Sequence, residues 1–178
     1  MMTQDVNRTL STRTGFRFQV RPARPDDEAG LAEFFQHVTP EDLRFRFLTT
    51  VKEVGHDRLA AMTKIDHRQT ENFIAFAEDG KTMIASGMLA CDATLERGEV
   101  AISIRSEYKN RGVGWELLRH ISKVAEDKGV HVIESLEDRQ NHEAIELERE
   151  QGFEVDECAD DVRLVVLRKV LKQAPNPA

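Results

Sequence analysis

The chain has 178 residues, of which 40% are hydrophobic and 32% charged, a composition typical of one globular domain with a sizeable core. Its net charge of −7 argues against non-specific nucleic-acid binding, which requires a basic surface. No apolar stretch resembles a signal peptide or a membrane span, so we expect a cytoplasmic protein without a nucleic-acid or membrane partner.

The two ends of the chain differ in composition from the rest. Residues 1–15 carry Arg8 and Arg13 against one acidic residue, which predicts a flexible basic arm, with a docking arm as the alternative. Residues 173–178, with the sequence QAPNPA, predict a disordered tail. Residues 16–172 contain no repeat or linker, so we expect them to form a single domain.

The domain begins with a predicted strand, FRFQVRPA, which alternates apolar and polar residues until its proline. Three short helical patterns follow, over residues 27–38, 40–50 and 55–65. We interpret Arg44 and Arg46 in the second pattern as surface residues of an ordinary amphipathic helix rather than as a wall of a binding site. The strand patterns ENFIAFAE and TMIASGMLA then flank Asp79-Gly80, a dipeptide typical of a β-hairpin turn.

The second half alternates between strand and helix patterns. In order they are strand, helix, strand, helix, strand and strand, over residues 98–106, 112–129, 130–136, 141–152, 153–157 and 161–171. This order predicts an α/β fold with a mostly antiparallel, partly parallel sheet. The last strands have an exposed edge that favours a homodimer. The six histidines and the two cysteines have no ligand spacing, so the sequence predicts no metal site.

The stretch YKNRGVGW places two glycines between a strand and a helix. The first N–H groups of a helix lack partners and lie at the positive end of its dipole, so this position favours an anion. Lys109 and Arg111 add charge, and Gly112 and Gly114 allow the backbone to approach a phosphate closely. The alternative is a tight turn whose glycines serve packing, and the local pattern does not decide between the two.

Around this loop the sequence resembles the GNAT acetyltransferase superfamily, whose signature is Arg or Gln, two residues, Gly, one residue, and Gly or Ala. Lys109, Gly112 and Gly114 match it, with Lys in the first position. A second set of family positions matches Asn141, Ala144, Gly152 and Phe153. The segments LRFRFLTT and GEVAISI are similar to the acetyltransferase domain of bacterial protein-lysine acetyltransferases.

This resemblance covers roughly residues 18–171 and implies a GNAT-like central mixed, mostly antiparallel sheet of six or seven strands with helices on both faces. It also implies acetyl-CoA as co-substrate, bound where two parallel strands splay apart. The implied pantetheine contacts are Ile102, Ser103, Ile104 and Asn141. The implied pyrophosphate contacts are Lys109, Asn110, Arg111, Gly112, Val113, Gly114 and Trp115.

The chemistry requires a base, because a lysine amine has a pKa of about 10.4 and is protonated at neutral pH. Glu99 matches the glutamate of the subfamily segment GEVAISI and is the candidate general base, acting directly or through a water. Glu96 is the nearest substitute. The alternative is that Glu99 is simply a solvated turn residue.

In the family, a Tyr four residues after the Ala often protonates the leaving thiolate, and Glu148 occupies this position here. The only tyrosine of the chain is Tyr108. Either no acid is used, because a thiolate is a tolerable leaving group, or Glu148 is the acid. The second case requires that burial raise the pKa of Glu148. A solvated carboxylate at the helix edge is the alternative.

We therefore expect an N-acetyltransferase that acts on a primary amine, preferably a protein lysine. A small-molecule amine is the second choice of acceptor. A degenerate domain that binds acyl-CoA as a sensor or interaction module is the alternative of a different class.

Overall fold

The computed structural model describes residues 7–173 of the chain. In chain order, these residues form β1 (Arg8–Ser11), β2 (Arg17–Pro22), α1 (Glu28–Gln36), α2 (Pro40–Phe47), α3 (His56–Thr63), β3 (Thr70–Phe76), β4 (Met83–Cys91), β5 (Arg97–Ile104), α4 (Val113–Asp127), β6 (Val132–Asp138), α5 (His142–Glu150), β7 (Glu154–Glu157) and β8 (Leu164–Val170). None of these helices has both the length and the apolar character needed to cross a membrane.

The strands form one eight-stranded sheet in the order β1-β2-β3-β4-β5-β6-β8-β7. Only β5 and β6 are parallel among these neighbours, so the predicted mixed, mostly antiparallel sheet is confirmed. It contains eight strands rather than the expected six or seven. The additional strand is β1, which lies within the stretch that the sequence analysis assigned to a flexible arm.

A short hairpin joins β1 to β2. Its register runs from Arg8 opposite Val20 to Ser11 opposite Arg17, and the turn closes through Gly15, whose φ is +90°. Residues 1–6 of the predicted arm and residues 174–178 of the predicted tail lie outside the described part of the chain.

Helices cover both faces of the sheet. On β3, Phe73 and Ala75 belong to the core under α4, whereas Ile74 and Phe76 belong to the core under α1 and α3. Because successive strand residues point to opposite faces, these two cores lie on opposite sides of the sheet. The helices on both faces that the resemblance implied are therefore confirmed.

Strands β5 and β6 separate soon after they meet. Their pairing covers three positions and ends at Glu99 opposite Glu134, whereas β5 continues to pair with β4 as far as Ile104. On its other side, β6 pairs with β8 as far as Asp138. Each strand thus follows its outer neighbour, and a wedge opens in the middle of the sheet beyond Glu99.

Candidate active site

A cavity of about 470 Å³ lies in the wedge between β5 and β6. Its walls come from α2, from β5 beyond Gly98, from the glycine loop, from the end of β6 and from α5. Among the predicted cofactor-binding residues, those that line it are Ile102, Ser103, Ile104, Lys109, Asn110, Gly112, Val113, Gly114, Trp115 and Asn141. Both predicted catalytic residues, Glu99 and Glu148, line it as well.

The glycine loop reaches the start of α4 through left-handed backbone positions. Asn110 has a φ of +61° and Gly112 a φ of +86°, and Gly112 is the N-terminal cap of the helix without a side-chain cap. The first N–H groups of this 15-residue helix therefore have no side-chain acceptor and face the cavity end of the loop. Such an arrangement favours an anion.

The two glycines of the loop also allow close packing. A Cβ added at Gly112 would lie 3.1 Å from the Thr12 Cβ of the β1–β2 turn, and one at Gly114 would lie 3.0 Å from the Ile104 Cδ1. The two interpretations of the pattern are thus compatible, because the glycines permit both the packing and the turn that exposes the N–H groups.

The two basic residues of the loop have partners within the protein. The Lys109 Nζ lies 2.8 Å from Asp42 Oδ2 of α2 and 3.8 Å from Glu143 Oε2 of α5. Burial lowers the pKa of Lys109, but the hydrogen bond and charge of Asp42 outweigh this effect and raise it. Arg111 is not among the residues that line the cavity, and its guanidinium stacks over Tyr108 and Phe16. We call the ion-paired group of Lys109, Asp42 and Glu143 the clasp.

The inner wall of the cavity is the free side of β5. Ser103 is 4% exposed, and its Oγ has no hydrogen-bond partner among the described residues. Because a buried hydroxyl without a partner is uncommon, this atom indicates a ligand group at the wall.

Glu99 lies at the narrow end of the wedge, where the pairing of β5 and β6 ends. Across the cavity from it, α2 contributes Arg46, whose guanidinium contacts the Met88 sulfur at 3.8 Å and stacks over Phe47. Burial lowers the pKa of Arg46, while the charges of Glu99 and Glu137 act in the opposite direction. The interpretation of Arg46 as an ordinary surface residue is therefore wrong, because it lines the cavity. Glu96, the substitute for Glu99, instead pairs with His131 at 2.7 Å.

Glu148 of α5 also lines the cavity and is buried, with 6% of its surface exposed. Burial, and then the charge of Glu137, raise the pKa of Glu148 to about 9. The condition that the sequence analysis set for a proton donor at this position is thus met. Its Oε2 has no hydrogen-bond partner among the described residues.

Glu137 is a cavity residue that the sequence analysis missed. It ends a run in which Ile133, Ser135 and Glu137 share one face of β6, and the first two are buried. The signal available in the sequence was an acidic residue at the next position on the buried face of this strand. Burial raises the pKa of Glu137, against the hydrogen bonds of Ser135 and Asn141.

Asn141 caps α5 and also contacts Glu137. Its Oδ1 accepts a hydrogen bond from the Ala144 N–H at 3.4 Å, and its Nδ2 donates one to Glu137 at 3.1 Å. The predicted support of pantetheine by Asn141 stays a prediction.

Comparisons with known proteins identify the family and the fold of this chain. A model of the acetyltransferase (GNAT) family matches residues 33–153. Acetyltransferase PA5475 of Pseudomonas aeruginosa is 28% identical over 154 residues, which cover 85% of this chain and 83% of the relative.

Two solved structures show the same fold. The GNAT domain of S. lividans PAT superposes with a TM-score of 0.86 at 22% identity, covering 93% of this chain and 97% of that one. The structure of yncA from Salmonella typhimurium with its cofactor acetyl-CoA superposes with a TM-score of 0.70 at 18% identity, covering 90% and 98%. Because the family model spans more than half of the sequence, the chain belongs to the acetyltransferase (GNAT) family of acyltransferases, which take their acetyl group from acetyl-CoA.

Proposed function

We propose that this protein transfers the acetyl group of acetyl-CoA to a primary amine, preferably a protein lysine, by direct attack of the amine on the thioester. The observation that carries the proposal is the wedge beyond Glu99, whose cavity is lined by the glycine loop, by the free side of β5 and by the carboxyl groups of Glu99 and Glu148. This arrangement combines an anion site, a free strand edge and two proton-transfer groups in one cavity.

The cavity fits acetyl-CoA in two respects. The uncapped start of α4 offers backbone N–H groups for the pyrophosphate, without help from a free Lys109 ammonium, because the clasp already pairs it. The free edge of β5 between Val100 and Ile104 offers backbone groups for the amides of the pantetheine arm, and the Ser103 hydroxyl offers one further hydrogen bond.

Glu99 acts as the general base in this proposal. The acceptor arrives as an ammonium ion, and the Glu99 carboxylate takes one of its protons, directly or through a water, so that the nitrogen lone pair becomes free to attack the thioester carbonyl. Glu99 lines the cavity at the point where β5 and β6 separate, and its charge acts on the pKa of Arg46.

Glu148 acts as the proton donor. When the carbon–sulfur bond breaks, the sulfur leaves as a thiolate, and the Glu148 carboxyl gives it a proton. A pKa of about 9 keeps Glu148 protonated at neutral pH, which a donor of this kind requires. The alternative remains release of the free thiolate without an acid.

The preference for a protein lysine is supported by the match to the GNAT domain of S. lividans PAT, which is a protein acetyltransferase. This match has the higher of the two TM-scores given above. A small-molecule amine is the second candidate, and one observation favours it. Arg46 presents to the cavity a guanidinium, which is a group that binds carboxylates, and an amino acid carries both an amine and a carboxylate.

The test is transfer of radiolabelled acetyl from acetyl-CoA to a peptide with a single internal lysine and to free amino acids. Preferential labelling of the peptide supports the lysine acceptor, and preferential labelling of amino acids replaces it with the second candidate. Thermal unfolding with acetyl-CoA, CoA and ATP tests the donor separately. A ligand at a hundred times its Kd stabilises by about 2.7 kcal/mol. If neither acetyl-CoA nor CoA raises Tm, the remaining interpretation is a degenerate module.

A further inference from the structure

Two carboxyl groups meet at the inner end of the cavity, one from β6 and one from α5. Glu137 and Glu148 both line the cavity, close enough to each other for a side-chain hydrogen bond to act on both pKa values. Two buried carboxylates in contact repel each other strongly, so one of them must carry a proton for such a bond to form. The pair therefore holds one proton over a wide range of pH.

The hydrogen bonds around the pair indicate which carboxyl carries that proton. The Ser135 Oγ donates to Glu137 Oε1 at 2.8 Å, and the Asn141 Nδ2 donates to Glu137 Oε2 at 3.1 Å. Both Glu137 oxygens thus act as acceptors, as in a carboxylate, and the positive charge of Arg46 favours the same form. A hydrogen bond with Ser135 favours a charge on Glu148 as well, but Glu148 Oε2 receives none within the described residues, so a charge is less well stabilised there than on Glu137.

Other charged groups line the same cavity and act on the pair. They are Asp42 and Arg46 from α2, Glu99 from β5, Lys109 from the glycine loop, and Glu143, Glu146 and Glu150 from α5. Lys109 is paired in the clasp, and Arg46 lies under the influence of both Glu99 and Glu137. Among these groups, Arg46 is the one whose charge acts on Glu137, and the charge that acts on Glu148 is that of Glu137.

We propose that Glu137 is the positioning residue of the proton donor: its carboxylate, fixed by Ser135 and Asn141, holds Glu148 in the protonated form and in place at the inner end of the cavity. This inference rests on the proposed role of Glu148. It assigns Glu137 no contact with the substrate, because Glu137 acts through Glu148.

The pair also returns the donor to its starting state. When Glu148 gives its proton to the thiolate, a sulfur–hydrogen bond forms, the Glu148 O–H bond breaks, and two adjacent carboxylates remain. Their repulsion favours the uptake of a proton from water by Glu148, which restores the single-proton state before the next turnover. The ammonium nitrogen loses two protons, one to Glu99 before the attack and one from the tetrahedral intermediate, and both leave to solvent. Because Glu148 takes one proton back from water, the reaction releases one proton in total.

The direct test is a pH titration by NMR of the protein labelled with ¹³C at the glutamate side-chain carboxyls, with the Glu148 signal assigned by its loss in Glu148→Gln. In the unmodified protein, we expect this signal to titrate near pH 9. In Glu137→Gln, the neighbouring charge is gone, and we expect the titration to move down by about one pH unit or more.

Glu146→Gln is the matched control, because it removes an exposed carboxylate from the same helix without touching the pair. We expect a much smaller shift there. In Glu137→Asp, which keeps the negative charge, we expect Glu148 to titrate close to its pH in the unmodified protein. If Glu137→Gln does not fold, Asn141→Ser is the second variant, since it keeps a capping residue but loses the donor to Glu137, which moves the proton towards Glu137 and lowers the pH at which Glu148 titrates. A Glu148 titration that stays unchanged in Glu137→Gln, or in Asn141→Ser where the first variant does not fold, overturns the inference.

Turnover separates this inference from the proposed function. With the lysine peptide as probe, Glu137→Gln should lose kcat at lower pH than the unmodified protein, whereas a merely structural role would lower kcat equally at every pH. If Glu148→Gln retains full kcat at all pH values, the donor role of Glu148 fails, and the NMR titration still decides whether Glu137 sets its protonation.

Discussion

The two ends of the cleft hold charge by different physical means. At the glycine loop, backbone N–H groups at the start of α4 provide a fixed positive end, and the nearby Lys109 is neutralised by the clasp. At the inner end, the charge is carried by the Glu137 and Glu148 side chains, which are buried and share a proton. A backbone site does not titrate, whereas a carboxyl pair does. We therefore expect binding of acetyl-CoA to depend on backbone geometry and turnover to depend on pH.

The largest effect is expected at the proposed base, where a substitution should change turnover without changing binding at the glycine loop. Glu99→Gln removes the proposed base and should lower kcat by about 10²–10⁴-fold, the usual contribution of a general base. The affinity for acetyl-CoA should stay the same, because the loop and the edge of β5 are intact. Steady-state kinetics and isothermal titration calorimetry measure the two quantities.

Glu96→Gln is the control for this variant, since Glu96 is the adjacent acidic residue and pairs with His131 outside the cavity. It should leave kcat unchanged. If both variants retain full turnover, Glu99 is not the base. If Glu99→Gln lowers the affinity for acetyl-CoA instead of kcat, binding and turnover do not depend on separate parts of the cleft.

The second effect concerns the loop. At Gly112, φ is +86°, and an alanine Cβ would lie 3.1 Å from the Thr12 Cβ. The left-handed conformation costs a non-glycine residue about 1–2 kcal/mol, so Gly112→Ala should weaken acetyl-CoA binding roughly tenfold and also lower Tm.

The control here is Gly80→Ala in the β3–β4 turn, where φ is +70° and no atom lies within 4 Å of the added Cβ. It introduces similar backbone strain far from the cavity, so Tm should fall while the Kd for acetyl-CoA stays constant. Equal Kd values for both variants would mean that the loop glycines serve packing alone.

The third effect is the stability cost of the carboxyl pair. The pKa of Glu148 is about 9 in the folded protein and 4.5 as its ordinary value. Between these two pH values, the folded state retains a proton that the unfolded chain has released, so stability falls as pH rises across this window. Glu148→Gln removes this dependence and can still donate to Glu137.

We therefore expect Glu148→Gln to be more stable than the unmodified protein at pH 8 by about 1 kcal/mol or more, which raises Tm by roughly 2–4 °C. At pH 4, the two should be nearly equal, because Glu148 is then protonated in both folded and unfolded chains. Calorimetric unfolding at the two pH values tests this expectation. The same Tm difference at both pH values would contradict the titration of Glu148.

The comparison of the two ends also explains what the sequence could predict. The glycine loop depends on residues close together in the chain, so its pattern is local and could be recognised from the sequence. The contact between Glu137 and Glu148 requires β6 and α5 to meet, and Arg46 reaches Glu137 from α2, about ninety residues earlier. The strand β1 was missed because Arg8–Ser11 has no apolar alternation and is held by its pairing with β2. The sequence identified burial of Glu148 as the condition for a proton donor. Whether Glu148 is buried depends on how α5 packs, which the sequence did not reveal.

The smallest effect is expected at the clasp. Asp42→Asn leaves the Lys109 ammonium with Glu143, 3.8 Å away, as its remaining partner, so the cation is freer to face phosphates bound at the loop. Exposed ion pairs contribute about 0.2–1 kcal/mol, so acetyl-CoA should bind about two- to fivefold more tightly, and less so at high salt. Lys109→Met in the same background should abolish the gain. If Asp42→Asn binds acetyl-CoA more weakly instead, the clasp acts mainly by holding α2 against the loop. Binding of acetyl-CoA at the glycine loop would then depend on side chains, as proton transfer at the Glu137–Glu148 pair does.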